Sequence, residues 1–308
     1  MSRHRVARVP LVERLRSALA RPRRAAAGLS VAVLACALLL TPATSGAYTA
    51  SILNSNNAVT SAAAFFTCDS AWFADRASAY YSYTLTQPTG STTAPDTSGN
   101  GTGNGNGNGF GNRDGFYRGT MLTSSATPKA CPRDPGGSWV LDGSTSHLVT
   151  PLPLNNPTTF STEIWFKTKV AGGKLFSFNG SRDSTGGQYD RHTYINTAGH
   201  LVFGTYNGVV QTITSPGSVT DDTWHHVVST LSPTGGMALW LDGVQVASNS
   251  TFRTPETFTG YWKIGYDTLG GSWPGVGSAY FTGSLRYAAV YTTVLTSTQI
   301  QNHYNAGR

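Results

Sequence analysis

The sequence predicts an all-β protein of two packed antiparallel sheets, and three observations carry that prediction. Charged residues make up only 12% of the 308 positions while glycine alone takes 35, a composition that suits many short strands joined by turns in an extracellular setting. Strand-like segments follow one another from Ser138 to Tyr291, and about a dozen strands with turn signals between them need two sheets to bury their apolar faces. Asn207-Gly208 and Asp242-Gly243 each sit between apolar runs, and these dipeptides favour two-residue hairpin turns because both positions accept positive φ. The 39% hydrophobic content is enough for a real core.

The first element is a leader. Eight arginines against Glu13 in the first 24 residues account for the whole formal charge of +7, and the remainder balances 14 basic against 14 acidic residues. No basic stripe is left to track phosphates, so nucleic acid is excluded as a partner. The apolar run AAAGLSVAVLACALLL, Ala25 to Leu40, follows the arginines and is itself followed by TPATSGA. This is the order of an export signal, with Ser45 and Ala47 at the small-residue positions of a cleavage site after Ala47. Sixteen residues fall short of the roughly 20 that span a bilayer as a helix, so residues 1–47 are read as a signal peptide, with an uncleaved signal anchor through 25–40 as the alternative. Either places the rest outside the cell, touching membrane only through this segment. Cys36 leaves with the leader, and the two cysteines that remain, Cys68 and Cys131, are expected to pair in an oxidising compartment.

Residues 48–79 form an N-terminal extension in which Phe66, Phe73 and Ala77 recur at helix-like spacing, predicting a short helix that ends near Tyr80. Tyr81 to Leu85 reads as the first strand of the main domain, residues 80–308. The alternating Gly and Asn of Asn100 to Gly109 cannot bury side chains and read as a surface loop. A calcium-binding glycine repeat would need regularly placed carboxylates, and Asp96 and Asp114 lie too far apart to supply them. In FSTEIWFKTK the strand period puts Phe160, Thr162, Ile164 and Phe166 on one face and Ser161, Glu163, Trp165 and Lys167 on the other. A short C-terminal helix is expected in TSTQIQNHYNAGR, capped by Thr296 or Ser297.

From about Tyr80 to Gly307 the chain resembles the laminin-G-like jelly rolls of the concanavalin-A-like lectin and glucanase superfamily. The resemblance rests on WVLDGSTSHLVTP, FSTEIWFKT, INTAGHLVFGTYNG, DDTWHHVVSTL, MALWLDGVQV and FTGSLRYAAVYTTVLTSTQIQNHYNAG, in that order and spacing. It implies a two-sheet antiparallel jelly-roll sandwich that binds glycans or proteins through rim loops, often around calcium. The rim loops would be Asn179 to His192 and Gly265 to Phe281. On them Tyr266, Asp267 and Trp273 are candidate ligand-binding residues, and Asp190 and Asp267 candidate calcium ligands. Arg286 and Tyr287 depart from the acidic pair that many relatives carry after the FxG segment, which weakens the expectation of calcium. The leader and the following GAYTASILNSNNAV resemble the export signals of bacterial surface-fibre proteins.

His225 and His226 are neighbours on one strand, so they point to opposite faces and cannot share an ion. They match the resembled family's strand-start pattern, which implies a structural role. Some relatives are glucanases with carboxylates spaced E-x-D-x-x-E on a strand. Here Glu163 is followed by Ile164, Trp165, Phe166, Lys167 and Thr168, so that set is missing. No G-x-S-x-G elbow, H-E-x-x-H pair or phosphate loop occurs. The sequence therefore predicts no enzyme but an exported, non-catalytic bacterial surface module for carbohydrate or protein ligands. The alternatives are a structural subunit of a bacterial surface fibre and a polysaccharide hydrolase without the usual carboxylate motif.

Overall fold

The computed structural model describes residues 65–99, 113–184 and 186–308. The expected leader and anchor, the extension before residue 65 and the Gly/Asn run of 100–109 lie outside the described residues. What is described is the expected sandwich, with seventeen strands where the sequence suggested about a dozen; several of the added ones are only two or three residues long.

One sheet has the order β15 (Val244–Asn249), β14 (Gly236–Leu241), β13 (His225–Ser232), β8 (Phe160–Lys167), β17 (Thr282–Tyr291), β5 (Ser138–Asp142), β4 (Leu122–Ser124). The strand β1 (Ala79–Tyr83) also pairs with β17. The second sheet runs β12 (Val210–Ser218), β11 (His200–Tyr206), β10 (Tyr189–Ile195), β9 (Lys174–Asn179), β16 (Thr259–Ile264), β6 (His147–Val149), β3 (Gly115–Arg118), β2 (Thr93–Ala94). To it β7 (Leu154–Asn155) adds a short pairing with β16. Every pairing described is antiparallel. The two predicted hairpins are present: Leu241 pairs with Val244 across the two-residue turn Asp242-Gly243, while Tyr206 pairs with Val210 across three residues, Asn207 to Val209. Asp242 and Gly243 have φ of 52° and 78°, the paired positive values a tight hairpin demands.

The alternation read from β8 holds. Phe160, Ile164 and Phe166 enter the main core between the sheets, with Trp139, Trp262 and Phe176 among their company. Glu163 and Trp165 face the other way. That outer face of the first sheet is covered by α1 (Cys68–Asp75) and α2 (Ser297–Ala306), with Trp72, Val228, Tyr291 and Ile300 in a second apolar cluster. Both helices open with a reciprocal capping box, Thr67 with Ser70 and Thr296 with Gln299. Each satisfies backbone N–H groups that the first turn leaves without partners. The Cys68–Cys131 disulfide ties α1 down, so the part of the expected extension from Cys68 onward is bonded into the sandwich.

The outer face of the second sheet is covered differently, by the loop from Gly265 to Phe281. Trp273 of this loop lies against Tyr194 and Val202. The indole fits because the sheet residue beneath it is Gly204, where an added Cβ would collide with Trp273 Cζ3. Gly204→Ala is expected to cost about 1–3 kcal/mol through overpacking and to expose the loop to limited proteolysis at concentrations that leave the parent intact. Unchanged melting and cleavage would show that Trp273 shifts freely.

Candidate binding site

The outer face of the first sheet carries a groove of about 580 Å³. Its lining includes Pro128 and Pro132 from the segment before β5, Trp165 from β8, Trp224 just before β13, and Tyr304 and Arg308 at the end of α2. Trp165 is buried and Trp224 and Tyr304 are half-buried. The Trp165 and Tyr304 rings stack at 5.8 Å with 15° between their planes, and the Arg308 guanidinium lies over the Tyr304 ring. Asp222 is the one carboxylate in the lining, and it is paired with Lys167 and Lys169 at 3.4 and 3.1 Å.

The proline wall is held by contacts that sequence alone does not reveal. The fully buried Arg286 donates to the carbonyls of Ala130, Cys131, Asp134 and Pro135. The departure from the resembled family's acidic pair therefore has a structural purpose: a guanidinium's several donors gather one irregular segment. Asp134 accepts from the backbone N–H of Cys68 and of Asp69, both at 2.9 Å, and from the Tyr287 hydroxyl. A carboxylate at a helix N-terminus is favoured by the orphan N–H groups and the dipole there. Trp224 Nε1 donates to the Pro128 carbonyl at 3.0 Å, fixing one aromatic wall against the other side of the groove.

Beneath the groove lies a buried charged network. Glu163 accepts from His226 Nε2 at 2.6 Å, from His303 Nδ1 at 2.9 and 3.0 Å, and from the Tyr291 hydroxyl at 2.8 Å. The other nitrogen of His303 meets Asp75 at 3.0 Å. Burial alone would raise the Glu163 carboxyl, but the charge of His303 and the bonds from both histidines hold it well below the usual carboxylate range. Burial likewise opposes charge on His303, and the Glu163 charge with the Asp75 bond pushes it up to about 9. His303 is thus a buried cation between two anions, clamping α1 and α2 to β8. The partner that gives His226 its structural role lies 63 positions away in the sequence.

The rim-loop residues lie elsewhere, and burial changes their reading. Trp273 is 4% exposed and Asp190 and Asp267 not at all, so the expectation that Asp267 and Trp273 offer a carboxylate and an aromatic plane to solvent is corrected. Trp273 anchors its loop. Asp190 accepts from the backbone N–H groups of Arg191, Tyr206 and Glu256 and pairs with the Arg191 guanidinium. Asp267 accepts from Asn179 and the Thr268 backbone N–H and is ion-paired with Lys263 at 3.7 Å. These partners occupy the oxygens that calcium would need. Of the three ligand candidates only Tyr266 stays half-exposed, stacked on Tyr280 at 4.1 Å with the His147 ring 4.9 Å away. Among the described residues the one grouping of metal-ligand types is Cys68, Cys131 and Asp134, whose sulfurs are bonded to each other. The groove residues Trp224 and Tyr304 were not singled out for binding. The pair of prolines around Cys131 was the available signal for a wall there.

A laminin-G family model, described as the concanavalin A-like lectin/glucanases superfamily, matches residues 142–301. No curated protein matches the chain in sequence. Among solved structures, domain 4 of the extracellular arabinanase AbnA from Geobacillus stearothermophilus, in complex with arabinotriose, is 15% identical. It covers 60% of this chain and 81% of its own, with a TM-score of 0.44. The binding domain of botulinum neurotoxin serotype D/C is 14% identical over 75% of this chain and 52% of its own, with a TM-score of 0.49. The structure of HCR/D-Sa-GBL1/C is 15% identical over the same shares, with a TM-score of 0.51. The chain thus spans about half the length of these last two, and at such identities the likeness is one of fold.

Proposed function

Because the chain belongs to the concanavalin A-like lectin/glucanases superfamily, we propose that it is a non-catalytic extracellular or cell-surface binding module that takes a carbohydrate in the groove between Trp224, Tyr304 and the two prolines. The observation that carries this reading is the groove's lining, with half-buried aromatic rings at its sides and an exposed arginine at its end. Aromatic faces suit the apolar C–H face of a pyranose, and a few polar groups at the edge suit its hydroxyls. Support for the non-catalytic part comes from Glu163. It lies in a strand but lacks the following carboxylates of the glucanase pattern, and it is fully buried and bonded through both oxygens within the protein, so it has no access to a glycosidic bond. Export through residues 1–47 belongs to the same proposal, and the exported form is expected to begin at Tyr48.

A glycan array probed with the exported protein is expected to return saturable binders. Trp224→Ala and Tyr304→Ala should each weaken the best of them about tenfold, roughly 1.4 kcal/mol, through lost stacking. Both variants must first melt like the parent, since Tyr304 also stacks on Trp165. Undiminished affinity in two well-folded variants would remove the groove as the site. An array without binders, together with homopolymers of the purified chain, would favour a fibre subunit instead.

A further inference from the structure

The covered outer face of the second sheet holds a group of side chains that ligand binding at the groove does not use. On β16 and β9, Lys263 pairs with Ser177 and Tyr261 with Asn179. Lys263 and Asn179 are therefore diagonal neighbours on one face, about 7–8 Å apart at the backbone and within reach of a long side chain. Lys263 is 1% exposed, and Asn179 and Asp267 are fully buried. Asp267 stands between them, with Oδ1 at 3.7 Å from Lys263 Nζ. Asn179 Nδ2 donates to both Asp267 oxygens, at 2.9 and 3.1 Å. On its other side Asn179 Oδ1 accepts the backbone N–H of Ser181 at 2.8 Å. The Lys263 amine also donates to the Ser184 carbonyl at 2.8 Å. An amine, a carboxamide, a carboxylate bonded to the carboxamide and ion-paired with the amine, and a fixed N–H on the carboxamide oxygen are the parts that amide exchange requires.

We propose that Lys263 and Asn179 join in an intramolecular isopeptide bond, with Asp267 as the proton relay. Asp267 takes a proton from Lys263 Nζ, and the freed lone pair attacks Asn179 Cγ. Negative charge builds on Oδ1, where the Ser181 N–H already donates. Asp267 returns its proton to Nδ2, the Cγ–Nδ2 bond breaks, and the nitrogen leaves as ammonia. The new amide keeps one hydrogen on Nζ, and the last proton of the original ammonium departs with the ammonia as ammonium. Carboxylate, amide and ammonium account for every atom, and no oxidant or cofactor enters. Burial favours both halves of the relay, since it pushes the Lys263 ammonium toward the neutral amine and the Asp267 carboxyl upward toward holding a proton. The product would staple two central strands of the second sheet beneath the loop that Trp273 anchors.

The test is the mass of the purified protein after reduction and denaturation, which is expected to fall one ammonia short of that of its unmodified chain. Trypsin should release residues 175–182 joined to 254–286, because a modified Lys263 is no longer cleaved. Asn179 precedes Gly180, so cyclisation onto the backbone would lose the same ammonia. Lys263→Arg separates the two. The full mass in that variant, and in Asp267→Asn with a native circular dichroism spectrum, supports the cross-link. A deficit that persists in Lys263→Arg overturns it, as does loss of water instead of ammonia, or a parent protein of full mass that yields free 254–263. The joined peptide is read on the parent itself, so a variant that fails to fold leaves the test intact.

Discussion

Replacing Glu163 by glutamine is expected to cost about 3–5 kcal/mol of folding stability, the usual consequence of removing one partner from a buried ion pair. The size follows from what is left behind. His226, His303 and Tyr291 all point at the carboxylate from within the second cluster, and a neutral amide offers one acceptor oxygen where two were used. Urea unfolding of parent and variant measures the loss, and a change under 1 kcal/mol would mean that His303 is satisfied by Asp75 alone. The same network predicts a pH profile. His303 has its folded value raised to about 9 from an ordinary 6.5, so its contribution is complete below pH 6.5 and is lost as pH rises through 9, on the order of 3 kcal/mol. Glu163 works in the opposite sense, contributing above the ordinary carboxylate range and losing that contribution only in strong acid. Melting temperature should therefore fall between pH 6.5 and 9, and His303→Gln should flatten that limb.

The second large effect concerns Cys68 and Cys131. Their bridge closes a loop with a sequence separation of 63. On the chain-entropy account this stabilises the folded state by about 4 kcal/mol relative to the open chain. Cys68→Ala with Cys131→Ala is expected to lower stability by that amount. Binding at the groove should suffer further, because the released segment carries Pro128 and Pro132. Calorimetry with and without the bridge, followed by titration of any array binder, separates the two consequences. Equal affinity in the bridged and unbridged proteins would show that Arg286 holds the proline wall unaided.

How much of this was legible in the sequence depended on the range of the interaction responsible. The Asn207-Gly208 and Asp242-Gly243 hairpins, the two-faced strand β8 and the cap of α2 are set by residues a few positions apart, and all were readable. The pairing of Cys68 with Cys131 was readable for a chemical reason, as the two cysteines that follow a segment read as an export signal. The burial of Trp273 was not, since it depends on Gly204 in a strand far back in the chain. Nor were the fates of Asp190 and Asp267, whose carboxylates looked like exposed rim groups until Arg191, Asn179 and the backbone of Tyr206 and Glu256 closed on them. The strand irregularities between Asp190 and Thr193 and between Arg286 and Ala288 place Arg191 and Tyr287 at positive φ, a conformation that neither residue type announces in the sequence.

The His303 clamp also sets an order on the making of the protein. Glu163 and His303 are 140 positions apart, and Asp75 and His303 are 228. During vectorial synthesis β13 and β17 can pair with β8, giving Glu163 its bonds from His226 and Tyr291, before His303 is present. The emergence of α2 adds the His303 cation, bonded to both Glu163 and Asp75, and the same helix delivers Tyr304 to the groove. Acquisition of the last wall and completion of the charge network are thus one event. A chain truncated or stalled before His303 would lack the cation between Glu163 and Asp75 and have no closed groove, so that incompletely made copies lose the clamp and the groove wall together.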